Sequence, residues 1–191
     1  MKGRESGMPE AAYWATFFDC ACVLSRLECN QNCVDVVEFG CGYGDFTIQA
    51  ARVVQGDVYA LDIEPEMVEA TVARAALNQL TNVSAAVRDF VERGAGRPDA
   101  SVDYVMLFNI LHIERPVELL AESLRILRPA GKVGIIHWQY DPKTPRGPSM
   151  NIRPRPEQCR DWGVEAGLVF DRWESLPCCP HHYGLVLRKA E

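Results

Sequence analysis

The sequence has no apolar run approaching the roughly 18 residues that a membrane span requires. Its opening stretch, MKGRESGMPE, lacks the apolar centre of a secretory leader. A cytoplasmic location with no membrane partner is therefore the expectation. An excess of basic residues is also missing: 20 Lys and Arg stand against 26 Asp and Glu, a formal net charge of −6. An acidic chain is a poor match for non-specific nucleic-acid binding, so no nucleic-acid partner is expected. No internal repeat is visible, which excludes solenoids and propellers. No C-x-x-C pair occurs among the 8 cysteines, and with no export signal disulfides are not the first expectation. What remains is ordinary for a globular domain: 191 residues, 48% apolar and 24% charged, enough to bury one core.

The patterning reads as alternating strand and helix. The first 30 residues suit a helix, with Tyr13, Trp14, Phe17 and Phe18 at helical spacing. Short valine-rich runs at 34–39, 58–61, 83–87, 103–108 and 132–138 read as strands, apolar on both faces. Helical patterns fill 45–54, 65–78 and 117–127, the second opening on Pro65 and the third closing at Pro129 and Gly131. This order predicts a doubly wound α/β architecture with a parallel sheet covered on both sides. The stretch 141–160 holds five prolines and five basic residues and reads as an ordered loop at the carboxyl edge of the sheet. A helix over 157–166 follows, then strands 169–176 and 183–188 joined by PCCPHH. That short connection makes them an antiparallel hairpin and brings the sheet to seven strands.

The most informative segment is VVEFGCGYGDF, residues 36–46, leaving a strand and entering a helix. Gly40, Gly42 and Gly44 let the backbone turn tightly and let a ligand reach main-chain atoms. A dinucleotide loop places Gly or Ala where this chain has Asp45, and a carboxylate there repels a pyrophosphate. The E-x-G-x-G-x-G pattern, flanked by acids, suits a ligand with a cationic end and no phosphate.

On these residues the chain resembles the class I S-adenosylmethionine-dependent methyltransferases, over roughly residues 34–138. Glu38, Gly40, Cys41, Gly42 and Gly44 match the first motif of that family. Asp62 in ALDIEPEM matches the second, an acid at the end of the second strand that accepts from both ribose hydroxyls. Ile63 would then lie on the adenine face, with Met67 in the same segment. VRDF matches the third motif, with Asp89 toward the adenine amino group and Phe90 enclosing the ring. DYVMLFNILHIE places Asn109 and Ile110 near the methionine end of the cofactor, and LRPAGK carries Ala130 where the family has glycine. The resemblance implies a Rossmann-like domain spanning 1–191. It would comprise a helical cap (1–33), a cofactor core (34–138), and a substrate loop with the C-terminal hairpin (139–191).

The chemistry implied is methyl transfer by in-line displacement to a small-molecule acceptor. His112 and His137 fall at the carboxyl edge of the sheet and are candidate bases. Tyr13 and Trp14 are candidate walls of an acceptor pocket, and Arg146 a candidate partner for an acidic acceptor, with Arg153 and Arg155 nearby. Cys20, Cys22, Cys29 and Cys33, and the group Cys178, Cys179, His181 and His182, offer soft-metal ligands, but their spacing matches no zinc module and no metal is expected. The alternatives are a nicotinamide-dependent oxidoreductase, or a protein that binds S-adenosylmethionine or a metal without catalysis.

Overall fold

The computed structural model describes residues 8–191, so the first seven residues of the expected cap lie outside the described residues. In chain order the elements are α1 (Ala11–Ala15), α2 (Cys20–Arg26), β1 (Val36–Phe39), α3 (Asp45–Ala51), β2 (Val58–Asp62), α4 (Pro65–Leu77) and β3 (Val83–Val87). Then follow α5 (Phe90–Arg93), β4 (Val102–Phe108), α6 (Pro116–Ile126), β5 (Leu127–Trp138), α7 (Pro156–Glu165), β6 (Val169–Glu174) and β7 (His182–Arg188). Proline opens α4, α6 and α7, where its missing N–H costs nothing.

The seven strands form one sheet in the order β3-β2-β1-β4-β5-β7-β6. Pairing is parallel from β3 to β5, and β7 runs antiparallel to both β5 and β6. Two apolar clusters cover the two faces. One joins the sheet to α6 and α7 through Leu119, Leu120 and Cys159. The other joins it to α2 and α3 through Val23, Leu24, Leu27, Phe46 and Ala50. The chain reverses its winding direction between β1 and β4, and the carboxyl ends of those strands open a crevice at that point.

Several expectations are corrected. Residues 8–30 hold two short helices in place of one, because Asp19 caps α2 by accepting the Cys22 N–H at 3.0 Å and so ends the earlier turn. A short helix, α5, follows β3, capped by Asp89 at 3.2 Å from the Glu92 nitrogen. β5 starts at Leu127, which pairs with Val102 before an irregularity in register, so no loop separates it from α6. The sheet is not apolar on both faces throughout. β3 and β6 are its edges, and Val87 (54%), Val169 (37%) and Trp173 (42%) are exposed there. Two cysteines are not free: Cys22 and Cys178, 156 residues apart, form a disulfide. Topology brings them together by laying the β6–β7 turn against the first turn of α2, a proximity that spacing in the sequence cannot reveal.

Candidate active site

The glycine loop is held by the strand beside it. The Gly40 and Cys41 N–H groups both donate to the Leu61 carbonyl, at 2.7 and 3.0 Å. Gly42 donates to Asp62 Oδ2 at 2.9 Å, and Glu64 donates to Oδ1 at 3.0 Å. Asp62 thus fastens the loop to the end of β2 and also starts the turn into α4. Gly40 has φ 81° with Ile110 3.3 Å from where a Cβ would stand. Gly44 has φ 78°, and there a Cβ would meet Thr71 Oγ1 at 2.8 Å. Both positions therefore require glycine, one for the cavity wall and one for helix packing.

Several side chains with acceptor oxygens line the crevice, Glu38, Asp45, Asp62 and Asn109 among them. Glu38 is buried on β1 and accepts from the Thr47 hydroxyl. Burial pushes its carboxyl up to about 8, the Thr47 bond opposes this, and the Asp45 and Asp62 carboxylates add to it. Burial also raises Asp62, against the N–H groups that favour its anion. Asp45 Oδ1 pairs with Arg74 at 2.6 Å, and its Oδ2 is buried with no partner among the described residues. Asn109, at φ 55° just past β4, also has a buried, unpartnered Oδ1.

Aromatic and basic groups also line this cavity. Trp14, Trp138, His112 and the loop Arg146–Gly147–Pro148 form its wall. The loop is organised from within by Arg153, which is buried and donates to the Pro148, Gln139 and Asp141 carbonyls and to Thr144 Oγ1. Arg155 stacks on Tyr140, 3.8 Å from the ring centre. Neither Arg153 nor Arg155 lines this cavity.

The fold brings most of the sequence candidates to this one cavity. Glu38, Gly40, Cys41, Gly42, Asp62, Ile63, Met67, Asp89, Phe90, Asn109, Ile110, His112, Trp14 and Arg146 all line it. Three do not. Gly44 packs on Thr71. Tyr13 is 48% exposed, its ring edge-on to Phe17. His137 is fully buried behind His112, with its Nε2 3.3 Å from His112 Nδ1, and burial holds it neutral with a pKa well below the ordinary value. The reason is strand alternation: successive residues of β5 face opposite sides, so Trp138 lines the cavity and His137 turns away. Trp138 was the missed residue, and that alternation was the signal that could have found it. Met8, Phe46, Glu64 and Phe108 also line the wall without a sequence signal of their own. Among the described residues, no group of three or more His, Cys, Asp or Glu side chains could hold a metal ion. No helix is long and apolar enough to cross a membrane, again among the described residues.

Residues 36–131 match the family model described as a methyltransferase domain. The chain belongs to that family. A ribosomal protein L11 methyltransferase from Dechloromonas aromatica is 37% identical over 110 residues, covering 56% of this chain and 34% of that protein. The chain therefore spans about a third of the length of that relative. The aklanonic acid methyltransferase DauC from a Streptomyces species is 32% identical over 152 residues, covering 72% of this chain and 66% of its own length. A SAM-dependent methyltransferase from Aquifex aeolicus has the same fold, with a TM-score of 0.79 at 23% identity and 90% of each chain covered. The chain is a methyltransferase domain whose cofactor is S-adenosylmethionine. The nicotinamide alternative is set aside. The site fits this cofactor: buried oxygens of Asn109 and Asp45 lack donors among the described residues, and a sulfonium and an ammonium need acceptor oxygens around them.

Proposed function

We propose that the chain methylates a small organic acceptor with an aromatic or apolar face and an ionisable oxygen or nitrogen. The observation that carries this reading is that one cavity is lined both by the acidic side chains of Glu38, Asp45 and Asp62 and by Trp14, Trp138, His112 and Arg146. DauC, by its name, acts on an organic acid, which supports an acceptor of this kind.

S-adenosylmethionine, when bound, supplies a methyl group made electrophilic by its sulfonium. Asp62 and Glu64 would hold the ribose, and Ile63, Met67, Asp89 and Phe90 the adenine. Gly40, Cys41, Gly42, Glu38, Asn109 and Ile110 would surround the methionine end. Residues 34–138 would thus hold the cofactor and supply His112 and Trp138 to the acceptor wall, and 139–191 would add the loop that carries Arg146, within one domain. The acceptor would lie against the two tryptophans, with an anionic substituent toward Arg146. His112 would take the acceptor's proton at Nε2 when its Nδ1–H donates to the neutral His137. Alignment of the partners in this walled space can supply much of the rate, up to roughly 7–11 kcal/mol in well-oriented reactions.

The test is incubation of the purified chain with methyl-labelled S-adenosylmethionine and a panel of phenols, aromatic carboxylates, amines, thiols and metalloids, read by mass spectrometry. Label is expected in the phenol or carboxylate arm. Transfer only to a protein such as ribosomal protein L11, with every small molecule unlabelled, would overturn the reading.

A further inference from the structure

A line of four polar groups runs from the N-terminal cap to the cavity wall. Cys179 Sγ lies 3.1 Å from the Phe17 carbonyl oxygen and 3.1 Å from His182 Nδ1. His182 Nε2 lies 3.3 Å from Asn109 Nδ2. Asn109 lines the cavity and His182 does not. His182 is buried, its ring 4.2 Å from that of Trp138 and 4.9 Å from that of Phe18.

The proton positions follow in order from the cap. A carbonyl only accepts, so the Cys179 thiol donates to Phe17. The sulfur is then an acceptor toward His182, and Nδ1 carries the imidazole proton. Burial keeps His182 neutral, its pKa held down to about 3, so it has one N–H and one lone pair. The lone pair is on Nε2 and must receive a donor, which is the Asn109 amide N–H. Asn109 Oδ1 is thereby directed away from His182, and this oxygen is buried without a partner among the described residues.

We propose that His182, its tautomer set by Cys179 and the Phe17 carbonyl, is a positioning residue that makes Asn109 present its carbonyl oxygen to the ammonium group of the bound nucleoside. The proposal rests on the cofactor placement given above. Without the lone pair at Nε2 the amide is free to rotate and offer its NH₂ group to a cation, which disfavours the cation. The residue selects for a positively charged amino-acid tail and leaves the nucleoside itself unaffected.

Calorimetry with S-adenosylhomocysteine, which carries the ammonium, and 5′-methylthioadenosine, which lacks it, tests this. His182→Phe keeps the ring between Trp138 and Phe18 and removes the acceptor. It is expected to weaken S-adenosylhomocysteine roughly 10-fold or more and to leave methylthioadenosine within about twofold. His182→Gln, which retains an acceptor oxygen, should recover most of the loss. In an Asn109→Leu background, His182→Phe should have no further effect. Equal weakening of both nucleosides, or persistence of the effect in the Asn109→Leu background, overturns the positioning role. A wild-type chain that binds neither nucleoside overturns the cofactor placement as well. Nitrogen NMR of the unaltered protein gives an independent reading: a protonated Nδ1 and bare Nε2 on His182 are expected, and the reverse tautomer defeats the proposal.

Discussion

Asp62 shows how one carboxylate serves both structure and ligand. Its two oxygens already accept from Gly42 and Glu64, and each keeps a lone pair for a hydroxyl. Asp62→Ala should therefore loosen the glycine loop and remove the ribose acceptor together, with S-adenosylmethionine affinity falling roughly 100-fold by calorimetry. A change under threefold would remove Asp62 from the site. Glu38 makes a prediction about pH. Its carboxyl is raised from 4.5 to about 8 in the fold. A raised value means that its contribution to stability is full below about 4.5 and is lost as pH rises through about 8. His182, held down to about 3, acts oppositely: its contribution is full above about 6.5 and is lost as pH falls. The difference between wild type and Glu38→Gln isolates the first effect, and the variant should gain in relative melting temperature between pH 5 and 8. A cationic ligand beside Glu38 favours its anion. Binding of S-adenosylmethionine near pH 7 should thus release protons, seen as buffer-dependent calorimetric heats that Glu38→Gln abolishes. Heats independent of buffer would count against this.

Among the elements, the irregular first part of β5 and the proline loop carry the clearest consequences. Ala130 has φ 61°, a left-handed conformation that disfavours a Cβ. Ala130→Gly should stabilise the chain by about 1 kcal/mol after the greater freedom of glycine in the unfolded state is subtracted. Urea titration checks this, and a loss of stability would show that the Cβ packs usefully. The loop 139–148 has almost no regular structure, and its carbonyls converge on the single guanidinium of Arg153. Arg153→Met should leave those carbonyls without donors and speed tryptic cleavage at Lys143 and Arg146 several-fold, with cofactor affinity little changed. Unchanged cleavage would mean that the prolines alone hold the loop.

At the scale of the whole molecule, the disulfide ties α2 to the turn that carries Cys179 and leads into His182 at the start of β7. It closes the chain over almost its full length, between residues 22 and 178. The double variant Cys22→Ser/Cys178→Ser should lose roughly 2–4 kcal/mol in denaturant unfolding, and the reduced wild type should match it. If reduction costs nothing, the bridge contributes no stability. The remaining six cysteines are free, five of them buried, and Cys179 and Cys159 among these have polar partners in His182 and Tyr183.

The order of strands and helices, the glycine loop and the acids ending β1 and β2 were legible in the linear chain. Each is a local pattern: valine runs, prolines at helix starts, and glycines where the backbone must turn back. The seven-stranded α/β architecture follows from that order through short, right-handed connections. Features that need two distant segments were not legible. The sequence marked His137, and only the register of β5 decides that Trp138 faces the cavity. It marked three arginines, and only the packed loop turns Arg153 inward and lays Arg155 on Tyr140. It offered eight thiols, and only the contact of α2 with the β6–β7 turn joins Cys22 to Cys178. Local chemistry sets what each segment can become, whereas side-chain direction and partner choice depend on atoms contributed by segments far apart in the chain.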